Sequence, residues 1–256
     1  TISYSVTWVQ TCALPIYSLR REHETDYIVF ALDSKGDTFR KEIYDDYKAN
    51  RQAPPEDLTL QLPIAIEWIE KMGFANISMS GYEADDIIAT ITHLARKDGL
   101  KVRIVSHDKD LYQLIDDGVV VLYDSVKKCE IDEAGCIEKF GVNPKDFINF
   151  QAILGDSSDN VPGVKGIGQK GASELINKYH TLEAIYEDIQ NAGTPRMQNL
   201  LLESKDSAFL SRELVAMRQD IIESCDWNNF IFEDKNYLAC LVSEFEKYEM
   251  RQALKK

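Results

Sequence analysis

The chain has 256 residues, of which 44% are hydrophobic and 28% charged, with a formal net charge of −14. That content can bury the core of one large domain or two smaller ones, and the mixed charges exclude a disordered chain. No apolar stretch approaches the ~18 residues of a membrane-spanning helix, which excludes one, and no charged-then-apolar signal opens the chain.

Thr1 to Ile16 has neither helical nor strand periodicity that fits the rest of the chain, and it contains no acidic residue. It resembles a translated sequencing-adapter read and is set aside as a non-native segment. Tyr27 to Leu32 is a continuous apolar run of strand length, as in a buried parallel strand. Phe39 to Arg51 is charged and aromatic. Leu58 to Met72 has apolar residues at helical spacing and stops at Gly73. A short apolar patch, Asn76 to Met79, precedes an amphipathic helix over Ile87 to Arg96. Val102 to Ser106 predicts a strand, Leu111 to Ile115 a short helix and Val119 to Tyr123 a further strand. Strands alternating with helices predict a parallel α/β sheet whose ligands gather at the carboxyl ends of the strands. After Pro144 the pattern turns helical: Phe147 to Leu154, Gln169 to Lys178, Leu182 to Ile189 and Met197 to Met217. A strand-like Phe230 to Phe232 and a helix over Tyr237 to Lys255 close the chain. The expected division is therefore an α/β core over 17–145 and a helical region over 146–256.

Three acidic clusters interrupt this pattern: Glu83-Ala-Asp85-Asp86, Asp108-Lys-Asp110 and Asp156-Ser-Ser-Asp159, with Asp33 at the end of the first strand. Taken singly, each also reads as acids that cap a helix or complement its dipole. Jointly, so many carboxylates at one sheet rim would repel one another by several kcal/mol unless cations sat between them. Hard divalent metals, and with them phosphate chemistry, are the reading that covers all the clusters.

The net charge of −14 argues against a nucleic-acid partner only if the acids are spread evenly. Eight of the 43 belong to the clusters, while basic residues gather at Arg40, Lys41, Lys48 and Arg51 and at Lys165, Lys170 and Lys178. The segment with Arg40, Tyr44, Tyr47, Lys48 and Arg51 is either a solvated face or a gateway that grips single strands by charge and stacking. Gly163-Val164-Lys165-Gly166-Ile167-Gly168, with Lys170 just beyond, lies before a helix. It is either an ordinary turn or a helix-hairpin-helix that turns backbone N–H groups towards a DNA phosphate. No strand precedes it and the spacing is not GxGxxG, which disfavours a dinucleotide site. His107 reads as structural. The five cysteines, odd in number and without a CxxC pair, fit free thiols in a reducing, cytoplasmic setting.

The motifs FALDSKGDTFRKE, YKANR, GYEADD, SHDKDLYQL and GDSSDNVPGVKGIG together resemble the 5′→3′ exonuclease domains of bacterial DNA polymerase I, relatives of the flap endonucleases. The resemblance runs from about Asp26 to the C-terminus. It implies a PIN-like, resolvase-like parallel-sheet core joined to a helix-hairpin-helix subdomain. It also implies Mg²⁺ (or Mn²⁺) held by Asp33, Glu83, Asp85, Asp86, Asp108, Asp110, Asp156 and Asp159, with Lys48 and Arg51 on the scissile phosphate. Further implications are a monovalent cation such as K⁺ at the hairpin, a monomer acting on DNA with a 5′ end or flap, and polymerase domains joined downstream in the parent. A stand-alone branch of the family lacks the later acids, and the intact GDSSDN favours the polymerase-associated kind. The family opens with a strand bearing an aspartate, for which Thr1 to Ile16 offers no counterpart, so greatly reduced or absent catalysis is expected of this chain. Two rivals remain: a non-catalytic module for branched DNA and a metal-dependent RNase.

Overall fold

The computed structural model describes residues 25–233, 237–248 and 250, so the segment set aside as non-native lies outside the described residues. The chain forms two compact units. One takes in the described parts of Thr1–Leu32, Gln52–Ser78 and Cys225–Lys256, and the other Asp33–Arg51 and Met79–Ser224.

In the first unit, β1 (Val29–Ala31) pairs in parallel with β2 (Ala75–Ile77), Phe30 opposite Asn76. Before the helix of this unit comes α1 (Phe39–Ile43), which belongs to the other unit. The helix α2 (Glu56–Lys71) buries Trp68 and Ile69. Partners come from the far end of the chain: Trp68 meets Phe245 edge-on at 5.6 Å, and Phe74, just past the helix, stacks on Tyr237 at 4.5 Å. Residues from Cys225 onward thus belong to this unit. The strand expected over Phe230 to Phe232 is a single antiparallel bridge, Ile231 with Tyr27. Of the helix expected over Tyr237 to Lys255, the described residues show a short 3-10 turn (Ala239–Leu241) and α10 (Val242–Lys247), and residues 251–255 lie outside the described residues.

In the second unit, α1 is a short helix that ends at Tyr44. The amphipathic α3 (Ala84–Lys97) buries Ile87, Ile91 and Leu94 along one face. It leads into β3 (Val102–Val105), which runs parallel to β4 (Val120–Asp124), Ile104 opposite Leu122. After a tight turn, β5 (Cys129–Ile131) returns antiparallel to β4. The described strands thus form two sheets, where a single parallel sheet was expected. The first strand implied by the resemblance would fall among residues 1–24, outside the described residues.

Neither β5 nor α4 (Glu133–Phe140) is evident from the apolar pattern. α4 is set by its ends: Asp132 accepts the N–H of Gly135, and Gly141 at φ +78° closes the helix. The central α5 (Phe147–Leu154) is buried on most sides, with Phe147, Phe150 and Ile153 all excluded from water. Around it pack α6 (Gln169–Tyr179), α7 (Leu182–Glu187), α8 (Pro195–Glu203) and α9 (Lys205–Val215), joined in one core with Leu111 and Leu122. The pattern over Met197 to Met217 resolves into α8 and α9, broken at Ser204.

Candidate active site

All the acidic clusters fall in the second unit. Asp33 lies just past the first strand, and its Oδ1 accepts the N–H of Ala84 at 2.8 Å, which sets it against the first turn of α3. Glu83 is the N-cap of that helix in a reciprocal capping box with Asp86. Asp85 lies one step into the turn. Asp108 lies beyond β3 and accepts the N–H of Asp110 at 2.9 Å. Asp156 and Asp159 lie in the loop after α5, which the paired N–H···O contacts of Asp156 and Val161, 2.9 and 2.7 Å, close upon itself.

Asp110, Asp156 and Asp159 each offer an oxygen within 4.8 Å of the others. Burial, then the charges of Asp108, Asp110, Glu83 and Asp33, push the Asp85 carboxyl up to about 7. Burial and Asp108 likewise push Asp110 up to about 6, against a hydrogen bond from Gln151. For Asp156, burial is outweighed by hydrogen bonds from Ser158 and Lys109, and its carboxyl is held below the usual range. Mutual repulsion among converging oxygen donors suits a seat for divalent cations, which the carboxylates of Asp110, Asp156 and Asp159 could hold.

Asp86 requires a correction. It is fully buried, and its two oxygens accept from Arg40 Nη1 at 2.7 Å, Arg40 Nη2 at 2.8 Å, the N–H of Glu83 at 3.1 Å and the N–H of Arg218 at 2.9 Å. With its lone pairs taken it has nothing left for a metal. Arg40 is corrected with it: only 2% exposed, it cannot grip DNA. Its Nε donates to the carbonyl of Leu214 at 2.7 Å, tying α1, α3 and the end of α9 together. Its Nη1 also lies 3.4 Å from Glu83. The pair holds Glu83 in place from behind.

Lys48 and Arg51 sit on the carboxylates themselves. Lys48, at φ +57°, places Nζ 2.5 Å from Glu83 Oε1 and 3.8 Å from Asp159 Oδ2. Arg51 donates to Asp159 Oδ1 through Nε at 3.0 Å and Nη2 at 2.6 Å. Tyr44 packs half-buried against the small apolar cluster of Tyr47, Val161, Leu214 and Val215. Three partners escape a reading by motif. The Tyr47 hydroxyl donates to Glu83 at 3.1 Å, Gln151 donates to Asp110, and Lys109 meets Asp156 at 2.9 Å. Lys109 stands inside the Asp108-Lys-Asp110 motif, which was its one available signal. His107 instead faces the β4–β5 turn, with Nε2 3.1 Å from Ser125 Oγ.

The hairpin depends on two glycines in contact. A Cβ on Gly163 (φ +61°) would come within 2.6 Å of the Gly155 nitrogen, and only glycine avoids the overlap. Val164 and Ile167 bury their side chains in the core, so what they can turn towards a phosphate is backbone. Lys165, Gly166, Gly168 and Lys170 are exposed, ahead of or within the first turn of α6.

Two domain descriptions match along the chain: "5′-3′ exonuclease, N-terminal resolvase-like domain" over residues 4–141 and "5′-3′ exonuclease, C-terminal SAM fold" over residues 142–237. DNA polymerase I of Helicobacter pylori strain J99 is 41% identical over 225 residues, covering 87% of this chain and 24% of the relative. The thermostable DNA polymerase I of Thermus aquaticus is 35% identical over 225 residues, covering 88% and 27%. The chain thus spans about a quarter of the length of these relatives. Among solved structures, T5 5′-exonuclease with bound zinc superposes with a TM-score of 0.75 at 23% identity, over 97% of this chain and 90% of that one. The catalytic core of Rad2 in complex with DNA substrate superposes with a TM-score of 0.55 at 16% identity, over 88% and 76%. At such identities the likeness is one of fold. Together with the matched domains and the clustered carboxylates, it leads to one assignment: this chain belongs to the 5′-3′ exonuclease family.

Proposed function

We propose that the chain is the nuclease part of a DNA polymerase I, hydrolysing phosphodiester bonds of DNA at 5′ ends and 5′ flaps. The approach of Asp110, Asp156 and Asp159 to within 4.8 Å, beside cationic Lys48 and Arg51, carries the reading. These carboxylates, with Asp33, Glu83, Asp85 and Asp108, would hold two or more Mg²⁺ ions, for which Mn²⁺ can substitute. When bound, such ions supply Lewis-acid charge for an attacking water and a leaving 3′ oxygen.

The chain's own groups do the rest. Lys48 and Arg51 offset charge on the phosphate, and Tyr47 and the Arg40–Asp86 pair orient Glu83. The hairpin backbone, Lys165 and Lys170 hold the duplex by its phosphates, with a monovalent cation such as K⁺ at the turn. The protein reads shape and not base sequence. No described helix is long and apolar enough to cross a membrane, and we place the protein in the cytoplasm as a monomer joined to polymerase domains.

The test is a labelled 5′-flap duplex incubated with Mg²⁺ or EDTA, beside an RNA flap of the same sequence. Mg²⁺-dependent cutting of the DNA flap, abolished by EDTA, is expected. Preference for the RNA flap would overturn the choice of substrate. Binding without cutting would establish the rival reading, a non-catalytic branched-DNA module.

A further inference from the structure

Among the described residues, Lys109 is the cation that meets Asp156. Its Nζ lies 2.9 Å from Asp156 Oδ2, and its side chain is 41% exposed against 7% for Asp156. On the Asp159 side, Lys48 and Arg51 hold the equivalent position. Asp156 is one of the three acids whose oxygens converge, so the ammonium sits on a carboxylate that a divalent ion would need. The two cations compete for it: an ion of charge +2 at ~2.1 Å outcompetes an ammonium at ~2.9 Å, because Coulomb attraction scales with charge over distance.

We propose that Lys109 is an exchangeable counter-cation: it neutralises Asp156 until a divalent ion takes that carboxylate, and the released ammonium then becomes a third phosphate-binding group. This inference rests on the nuclease reading above and assigns to the same site a cation that the Lys48–Arg51 pair does not cover. Two features suit Lys109 to the exchange. Its stem emerges between Asp108 and Asp110, so the head group stays beside the cluster whichever partner it holds. Its exposure lets it swing by rotamer change alone, without opening the core.

The experiment measures binding and not turnover. Free Mn²⁺ is monitored by electron paramagnetic resonance in titrations of the wild-type chain, K109Q, K109R and K127Q. Lys127, 74% exposed on the β4–β5 turn, controls for simple loss of surface charge. A 5′-flap duplex is then titrated by fluorescence anisotropy in Ca²⁺, under conditions in which no product appears. K109Q is expected to bind Mn²⁺ several-fold more tightly than K127Q, yet to bind the flap several-fold more weakly, with its salt dependence reduced by about one phosphate contact. K109R should stay near wild type in both. Equal Mn²⁺ affinities for K109Q and K127Q would overturn the counter-cation, and undiminished flap binding by K109Q would overturn the phosphate contact. If wild type binds no flap, the nuclease reading fails together with the phosphate contact, and the Mn²⁺ comparison alone decides the counter-cation.

Discussion

Arg40 and Asp86 are joined by two hydrogen bonds of 2.7 and 2.8 Å, and neither side chain meets solvent to any extent. Removing one partner leaves the other as an uncompensated buried charge, a loss of about 3–5 kcal/mol. R40M should therefore unfold at much lower denaturant concentration than wild type. A double-mutant cycle of R40M with D86N should give a coupling of about 2–3 kcal/mol. Additive losses in urea melts would mean that the two side chains act independently.

Stability without metal should depend on pH in an unusual direction. Asp85 at about 7 and Asp110 at about 6 bind protons more tightly in the folded chain than in the unfolded one. Their contribution is present at low pH and is lost as pH rises from the ordinary carboxylate range through these values. In EDTA, Tm should rise as pH falls from 8 to 6. Mg²⁺ should flatten that slope and release protons on binding near pH 6.5, measurable by calorimetry in buffers of different ionisation enthalpy. A Tm that climbs with pH in EDTA would contradict the crowding of these acids.

Asp159 joins the converging acids and also receives Arg51 and, through its carbonyl, the backbone N–H of Lys48. D159N keeps the size and the backbone contact but removes the charge. Mn²⁺ stoichiometry should drop by one, with the fold intact by circular dichroism. An unchanged stoichiometry would exclude Asp159 as a ligand.

G163A places a Cβ 2.6 Å from the Gly155 nitrogen at a φ of +61°. Backbone must move, at a cost of at least about 1–3 kcal/mol. The variant should lose Tm and bind flap DNA more weakly, while G168A, with nothing within 4 Å of the added carbon, should melt like wild type.

How much of the fold and site is legible in the sequence varies with the range of the forces involved. Helices α3 and α6 announce themselves because their apolar residues repeat along a face, and α5 because it is apolar almost throughout, purely local signals. The helix α4 does not: Gly135 sits inside it, and its ends depend on Asp132 and Gly141. β5 is short and largely exposed, with little apolar pattern to show. At the site, the carboxylates stand out by motif spacing and by their places at strand and helix ends. The fate of Asp86 does not, because a buried partner is supplied by Arg40, 46 residues earlier, and a further N–H by Arg218, 132 residues later. Motif letters treat Asp85 and Asp86 as equals, whereas a single step around the helix sends one towards the acids and the other into the core. Gln151 carries no charge and looks like an ordinary core residue until a contact 41 residues away gives it a role, and the tie of Tyr47 to Glu83, 36 residues away, is equally silent in the sequence.

The contact between Gly155 and Gly163 has a consequence for measurement of length. Asp156 and Asp159 lie between these two glycines, and the exposed turn of Lys165 to Gly168 begins just after them. Because the loop is clasped at its base, the acids and the turn cannot shift separately, and the span between them is fixed by covalent geometry. The loop is in effect a ruler: whatever rests on the turn is held at a set distance from the carboxylates, and an inserted residue between Asp159 and Gly163 would alter that distance at both ends.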